Sequence, residues 1–236
     1  MRYRSSNKLW YWIGCIEFTK THIYTAPAVT GPWKLSSTLN KCYYDCGLLI
    51  DDDDLMYVVY GIKDINIAQL SSDGLSEARS QQVFRAPLGV SQMEGNRMYK
   101  RNGIYYVLSD QPEPNITYIW KAANPWGPWS YKVLQERIGL PISGGGTPHQ
   151  GSLIQTQSGD WYFMSFSWSY PAGRMPVLAP IIWGSDNFPI LTTVSGRWGA
   201  SYPNPLPIQY VPSWTGTDNF RGPMLGEAWE WNSRIP

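Results

Sequence analysis

Two carboxylates and one imidazole occupy places where chemistry would need them. Asp45 enters the apolar run Cys46-Gly47-Leu48-Leu49-Ile50. A carboxylate at the mouth of such a run must be hydrogen-bonded or functional, because burying it unpaired is expensive. Glu94 holds the same place before Gly95-Asn96-Arg97-Met98-Tyr99. Glycine follows each acid closely, at Gly47 and Gly95, which lets a ligand or another backbone come near. His149, one of only two histidines, lies in Gly144-Gly145-Gly146-Thr147-Pro148-His149-Gln150-Gly151, again just ahead of strand-like sequence. Paired carboxyl groups that converge on one point suit cleavage of a glycosidic bond, where one protonates the leaving oxygen and another charge assists it. Structural accounts compete with this: Asp45 as a strand-end cap and His149 as a hydrogen-bonded core residue. The glycine run is not a phosphate loop, since no Lys-Ser/Thr follows it.

The elements that would carry these residues form a repeat. Four segments, at residues 8–12, 54–58, 103–107 and 159–163, each pair a polar turn with an aromatic or β-branched run. Aligned on Tyr11, Tyr57, Tyr106 and Tyr162, they are spaced by 46, 49 and 56 residues. A strand-like stretch precedes three of the turns, at 47–50, 97–100 and 152–155, which predicts hairpins. Gly31-Pro32-Trp33 and Gly127-Pro128-Trp129 echo each other after the first and third hairpins. Hairpin units of 45–55 residues fit the blades of a β-propeller, with a β-sandwich of four similar hairpins as the alternative. A further hairpin, 181–183 with 189–191, comes too soon to be a whole blade and is a candidate for closing the ring, since an open propeller exposes strand edges.

Composition agrees with an all-β chain. Its 236 residues include 13 Trp, 16 Tyr and 6 Phe, with 22 Gly and 19 Pro for turns. Lys and Arg number 19 against 18 Asp and Glu, a net charge of +1, which argues against a nucleic-acid partner and an acidic disordered tail. No apolar run reaches the ~18–20 residues of a membrane span. Cys15, Cys42 and Cys46 lack zinc spacing, and Cys42 and Cys46 are too far apart on one strand to pair. All three are expected to be buried small apolar residues. The run 51–54, four consecutive Asp, lacks the alternation of a calcium loop and reads as a solvated hairpin turn. Asn115-Ile116-Thr117 fits a glycosylation sequon that also arises by chance.

In combination, Tyr44-Asp45-Cys46-Gly47, Glu94-Gly95-Asn96-Arg97-Met98-Tyr99, Pro148-His149-Gln150-Gly151, Tyr170-Pro171-Ala172-Gly173-Arg174 and Trp229-Glu230-Trp231-Asn232 resemble the glycoside hydrolases of family 43, in the β-xylosidase and α-L-arabinofuranosidase branch. The resemblance covers nearly the whole chain. It implies a five-bladed β-propeller with its first blade largely missing and the start of a C-terminal β-sandwich. The expected divisions are an incomplete catalytic propeller over 1–200, a Pro- and Gly-rich linker over 201–224, and the sandwich start over 225–236. It also implies exo-acting, inverting hydrolysis of xylan- or arabinoxylan-derived substrates. Glu94 would be the general acid, holding a proton near neutral pH, and Asp45 the auxiliary carboxylate that tunes and orients it. Arg174, His149 and Gln150 would meet the sugar. No cofactor is required, although His149 could contact a structural calcium or sodium ion through water. Relatives of this kind are often exported, so an extracellular location is expected, with no membrane partner.

One departure matters. The family's general base is an Asp of the first blade, yet no Asp precedes Asp45, and Glu17 is the one acid there. The chain is therefore expected to be a piece of the enzyme, cut at both ends, with little or no activity alone. A non-catalytic sugar-binding propeller is the alternative.

Overall fold

The computed structural model describes residues 1–236 except 140, 211–215, 224–228 and 230–236. The chain divides into two units, Met1–Pro203 and Asn204–Pro236. The first unit carries four antiparallel sheets of four strands, each in chain order, with no helix among the described residues. Sheet 1 holds β1 (Arg2–Arg4), β2 (Leu9–Ile16), β3 (Lys20–Ala26) and β4 (Lys34–Leu39). Sheet 2 holds β5 (Gly47–Ile50), β6 (Met56–Tyr60), β7 (Asp64–Leu70) and β8 (Glu77–Arg85). Sheet 3 runs β9 (Glu94–Arg101), β10 (Ile104–Gln111), β11 (Ile116–Ala122) and β12 (Ser130–Glu136). Sheet 4 runs β13 (His149–Gln155), β14 (Trp161–Ser169), β15 (Gly173–Trp183) and β16 (Pro189–Leu191). This is an all-β propeller of four blades.

The two-residue period of a strand builds the packing. On β7, Ile65 and Ile67 face sheet 3 and join a core with Met98, Val107 and Trp120. The alternate residues Ala68 and Leu70 face sheet 1, with Tyr11, Ile13 and Ile23. A third core, around Tyr106, Ile119, Phe163 and Ile181, joins sheets 3 and 4. Aromatic pairs reinforce these layers, including Phe84 stacked on Trp120 at 4.1 Å and Tyr43 on Tyr60 at 4.4 Å. Such pairs contribute ~0.5–1.5 kcal/mol beyond area burial.

The outer faces of sheets 1 and 4 are different. Trp12, Leu35 and Tyr3 are exposed on one, and Met164, Trp168, Ile182 and Ile190 on the other. In register they occupy the faces opposite the cores: Trp12 lies beside Tyr24, which lies beside Leu35, and Ile182 beside Ile190. Sheets 2 and 3 are covered on both sides by their neighbours, whereas sheets 1 and 4 each leave an aromatic-rich face bare.

All four aligned tyrosines fall on the second strand of their sheets, and the two Gly-Pro-Trp echoes lie at equivalent connections before β4 and β12. Three expectations need correcting. The hairpin at 181–191 does not close the ring. The β14–β15 pairing uses nine residue pairs, and the remaining end of β15 pairs with β16 as the outer edge of the same sheet. Cys15 and Cys42 are not independent apolar residues but form a disulfide, with Cα atoms 5.0 Å apart; only Cys46 is free. The pairing escaped a linear reading because it joins the end of β2 to the connection after β4. The aspartates at 51–54 do make a hairpin turn, but three of them reach neighbouring sheets, Asp52 by pairing with Lys100 at 3.0 Å. Asp51 is buried against Lys100 and Tyr105 of sheet 3. Asp54 accepts a forked pair of bonds from Arg4 of sheet 1, at 3.0 and 2.6 Å.

In the second unit, Asp218 accepts hydrogen bonds from the Phe220 N–H and the Trp229 indole, both at 2.7 Å. The sandwich start expected over 225–236 lies outside the described residues, Trp229 apart. No helix among the described residues is long and apolar enough to cross a membrane.

Candidate active site

The three residues singled out first sit at corresponding ends of the first strands. Glu94 opens β9, His149 opens β13, and Asp45 lies two residues ahead of β5. Each strand start carries a left-handed residue: Asp45 at φ 48°, Gly95 at 69° and Gln150 at 47°. The pairings of β9 with β10 and of β13 with β14 also slip register there. A bulge re-aims side chains at a strand end, and left-handed non-glycine residues concentrate where the surroundings force them, often at functional sites.

These bends bring three sheets together. The Asp45 Oδ2 accepts hydrogen bonds from the Gly95 backbone N–H and from the Gln150 Nε2, both at 3.0 Å. Those donors adjoin Glu94 and His149 in sequence, so sheets 2, 3 and 4 converge at this point. Glu94 itself accepts from the Tyr44 hydroxyl at 3.2 Å and the Gln92 amide at 2.7 Å. Tyr44 is tied to the site in turn, for burial and the Glu94 and Asp45 charges push its phenol pKa up. The His149 Nδ1 lies 3.3 Å from the Thr147 carbonyl, and its ring rests 4.5 Å from that of Phe166.

Arg174 stands on β15, with its guanidinium over the rings of Phe166 and Trp168, at 4.8 and 5.8 Å. Such cation–π contact holds a guanidinium while leaving N–H groups for a ligand. Arg174, Arg97, Gln150 and Phe166 wall a cavity of about 300 Å³. A larger cavity, about 670 Å³, opens among Arg2, Trp12, Arg97, Tyr99 and Trp161. The carboxylates line neither, but Gln150, in the wall of the smaller one, donates to Asp45, and Cys46 and Gly47, which follow Asp45, line the larger.

One residue escaped the sequence reading. Asp110, 2 % exposed, pairs across the strands with Glu94 and accepts from the Thr117 hydroxyl at 3.1 Å. Burial pushes its carboxyl up to about 6, against the Gln150 backbone N–H, the His149 charge and the Thr117 bond, while Glu94 adds to the rise. The signal was present: Asp110 ends the run Tyr105-Tyr106-Val107-Leu108-Ser109, a carboxylate in apolar company like Asp45. The same bond engages the Thr of the 115–117 sequon, whose side chain is buried.

Among the described residues no three of His, Cys, Asp and Glu come together as a metal-ligand set. The residues present therefore do not fit a directly coordinated ion. A cation beside His149 would have to be held by water and carbonyls.

A propeller whose neighbouring blades deliver an Asp and a Glu to one strand end, beside an arginine-walled cavity, has the makings of a sugar-cleaving enzyme. Residues 3–189 match the model described as Glycosyl hydrolases family 43, and the chain belongs to that family. It is 28% identical over 250 residues to a protein of Xylanibacter ruminicola named "Putative beta-xylosidase", covering 98% of this chain and 45% of that one. It is 24% identical to the "Xylosidase/arabinosidase 43B" of Humicola insolens, covering 74% of this chain and 37% of that one. Among solved structures it superposes with a TM-score of 0.86 on a GH43 glycoside hydrolase engineered to display both endo-xylanase and exo-arabinofuranosidase activity. That likeness is at 39% identity, over 95% of this chain and 46% of that one. The chain thus spans less than half the length of each of these relatives.

Proposed function

We propose that these residues form most of the active site of an exo-acting, inverting glycoside hydrolase for xylan- or arabinoxylan-derived substrates, a β-xylosidase, an α-L-arabinofuranosidase or both. The observation that carries this reading is the Asp45 carboxylate bonded to the N–H next to Glu94. Glu94 is the general acid, which protonates the departing glycosidic oxygen. Asp45, one blade away, orients the acid by holding the backbone N–H of the next residue, Gly95. Arg174 meets the sugar hydroxyls from the cavity wall, and His149 from the neighbouring strand start. The reading needs no ion.

Inversion also requires a base to activate water on the opposite face of the sugar. No Asp precedes Asp45, and Asp110 is too deeply buried to touch water at the anomeric carbon. The family resemblance puts that base on a further blade, one that would cover the bare faces of sheets 1 and 4. The disulfide between Cys15 and Cys42 favours an oxidising, extracellular setting. The same missing base supports a second reading, a sugar-binding propeller without catalysis.

The test is hydrolysis of nitrophenyl β-xyloside and α-L-arabinofuranoside. The 236-residue chain should turn over neither appreciably, because general-base assistance contributes ~10²–10⁴ in rate. A longer polypeptide that carries it should hydrolyse at least one and lose that activity with Glu94→Gln. Robust turnover by the 236-residue chain would overturn the assignment of the base. Sugar binding without turnover in the longer form would favour the second reading.

A further inference from the structure

We infer that Gln150 is a positioning residue, which fixes the Asp45 carboxylate across two blade boundaries and acts on the reaction through it. The inference deepens the proposed glycosidase reading and rests on it for the role of Asp45. Its geometric basis is separate. The Gln150 side chain runs from sheet 4 across the start of β9 to donate to Asp45 at 3.0 Å. That passage lies over Gly95. A Cβ at position 95 would stand 2.7 Å from the Gln150 Cγ and 3.0 Å from its Nε2, closer than real side chains tolerate. Gly95 is left-handed as well, at φ 69°, so glycine meets both demands at once.

The two donors converge on one oxygen. Gly95 N–H and Gln150 Nε2 both reach the Asp45 Oδ2, which leaves the other carboxylate oxygen free of both. An acid that must tune its neighbour needs that fixed orientation, because Asp45 sits ahead of its strand and has no ladder to hold it. Gln150 is itself held in a left-handed turn at φ 47°. The carbonyl of the preceding residue, His149, accepts from the Ser165 hydroxyl at 2.7 Å. Sheets 2, 3 and 4 are thereby joined through one carboxylate oxygen, and a polar residue beside the cavity has its donor directed at Asp45.

Gln150→Met tests this, since methionine keeps the length and the passage over Gly95 but removes the donor. The first readout is hydrogen exchange at the Gly95 amide of the 236-residue chain. A hydrogen bond to a charged group is worth ~1.5–3 kcal/mol, so exchange at Gly95 should accelerate roughly 10- to 100-fold, with the β10–β11 amides unchanged. In the native protein, which needs no variant, the Gln150 side-chain NH₂ should show a nuclear Overhauser contact to the Gly95 N–H. In a longer polypeptide that hydrolyses nitrophenyl xyloside, the same variant should lower kcat by about 10- to 100-fold with KM changed less than about twofold. Unchanged Gly95 exchange, a missing Overhauser contact, or a rise in KM at constant kcat would overturn the inference. Loss of turnover in every form would count against the glycosidase reading alone, because the exchange and Overhauser results judge the clamp without it.

Discussion

Asp110 and Glu94 face each other across adjacent strands, one buried in the interior and the other at the strand's open end. Like charges directly opposite destabilise a sheet, and burial compounds this by pushing Asp110 up to about 6. Between the ordinary value of 3.8 and about 6, the folded chain holds a proton at Asp110 that the unfolded chain has released. Stability therefore falls as pH rises through that window and stays lower above it, by about 2–3 kcal/mol. Asp110→Asn removes the charge and keeps an acceptor for Thr117. Urea unfolding should show the variant more stable than the native chain at pH 7 by about 1–3 kcal/mol, with the difference vanishing near pH 4. A variant less stable at both pH values would show that the carboxylate contributes more than it costs.

Asp51 behaves in the opposite sense. Burial opposes its ionisation, but hydrogen bonds from Lys100 and Tyr105 outweigh that and hold its carboxyl below the usual carboxylate range. A depressed acid contributes stability at pH values above its unfolded value, and this is lost as pH falls through the folded one. Lys100→Met leaves Asp51 buried with Tyr105 and the Asp52 N–H as its remaining partners, and should cost about 2–4 kcal/mol at pH 7. The loss should shrink in acid, as pH falls below the usual carboxylate range and Asp51 protonates. Denaturant midpoints at the two pH values measure it. An equal loss at both would mean that packing of the lysine stem, not charge, is what the variant removes.

The disulfide gives a third expectation. Cys15 and Cys42 are 27 residues apart, and closing such a loop stabilises the fold by roughly 3–4 kcal/mol in the chain-entropy account. Reduction, or the double variant Cys15→Ser with Cys42→Ser, should lower the urea midpoint accordingly. Cys46 should be the one thiol that titrates after unfolding without reductant. In the native chain it should alkylate slowly, because burial pushes its thiol up to about 11. Three free thiols in unreduced protein would refute the pairing.

How much of this was legible depended on whether the signal was local. Tyr11, Tyr57, Tyr106 and Tyr162 framed the four blades because turn chemistry and strand alternation are written within a few residues. Asp45, Glu94 and His149 stood out for a related reason, since each lies at or just ahead of a strand start with glycine or proline within two residues. Residues defined by partners far along the chain were hidden. Asp110 acquires its meaning from a register slip opposite Glu94, and Cys15 from a connection two strands later. Asp51 and Asp54 read as solvated until Lys100, Tyr105 and Arg4 were placed beside them. Gln150 was expected to meet the sugar, and only the fold shows its amide directed at Asp45.

The most direct test of the central claim is a titration of the isotope-labelled chain with D-xylose and L-arabinose, followed residue by residue in its amide spectrum. The account predicts saturable shifts for at least one sugar at Glu94, Gly95, Gln150 and Arg174, which Glu94→Gln retains and Arg174→Ala abolishes. Shifts confined to the opposite strand ends around Asn102 and Asp160, or no shift with either sugar, would contradict it.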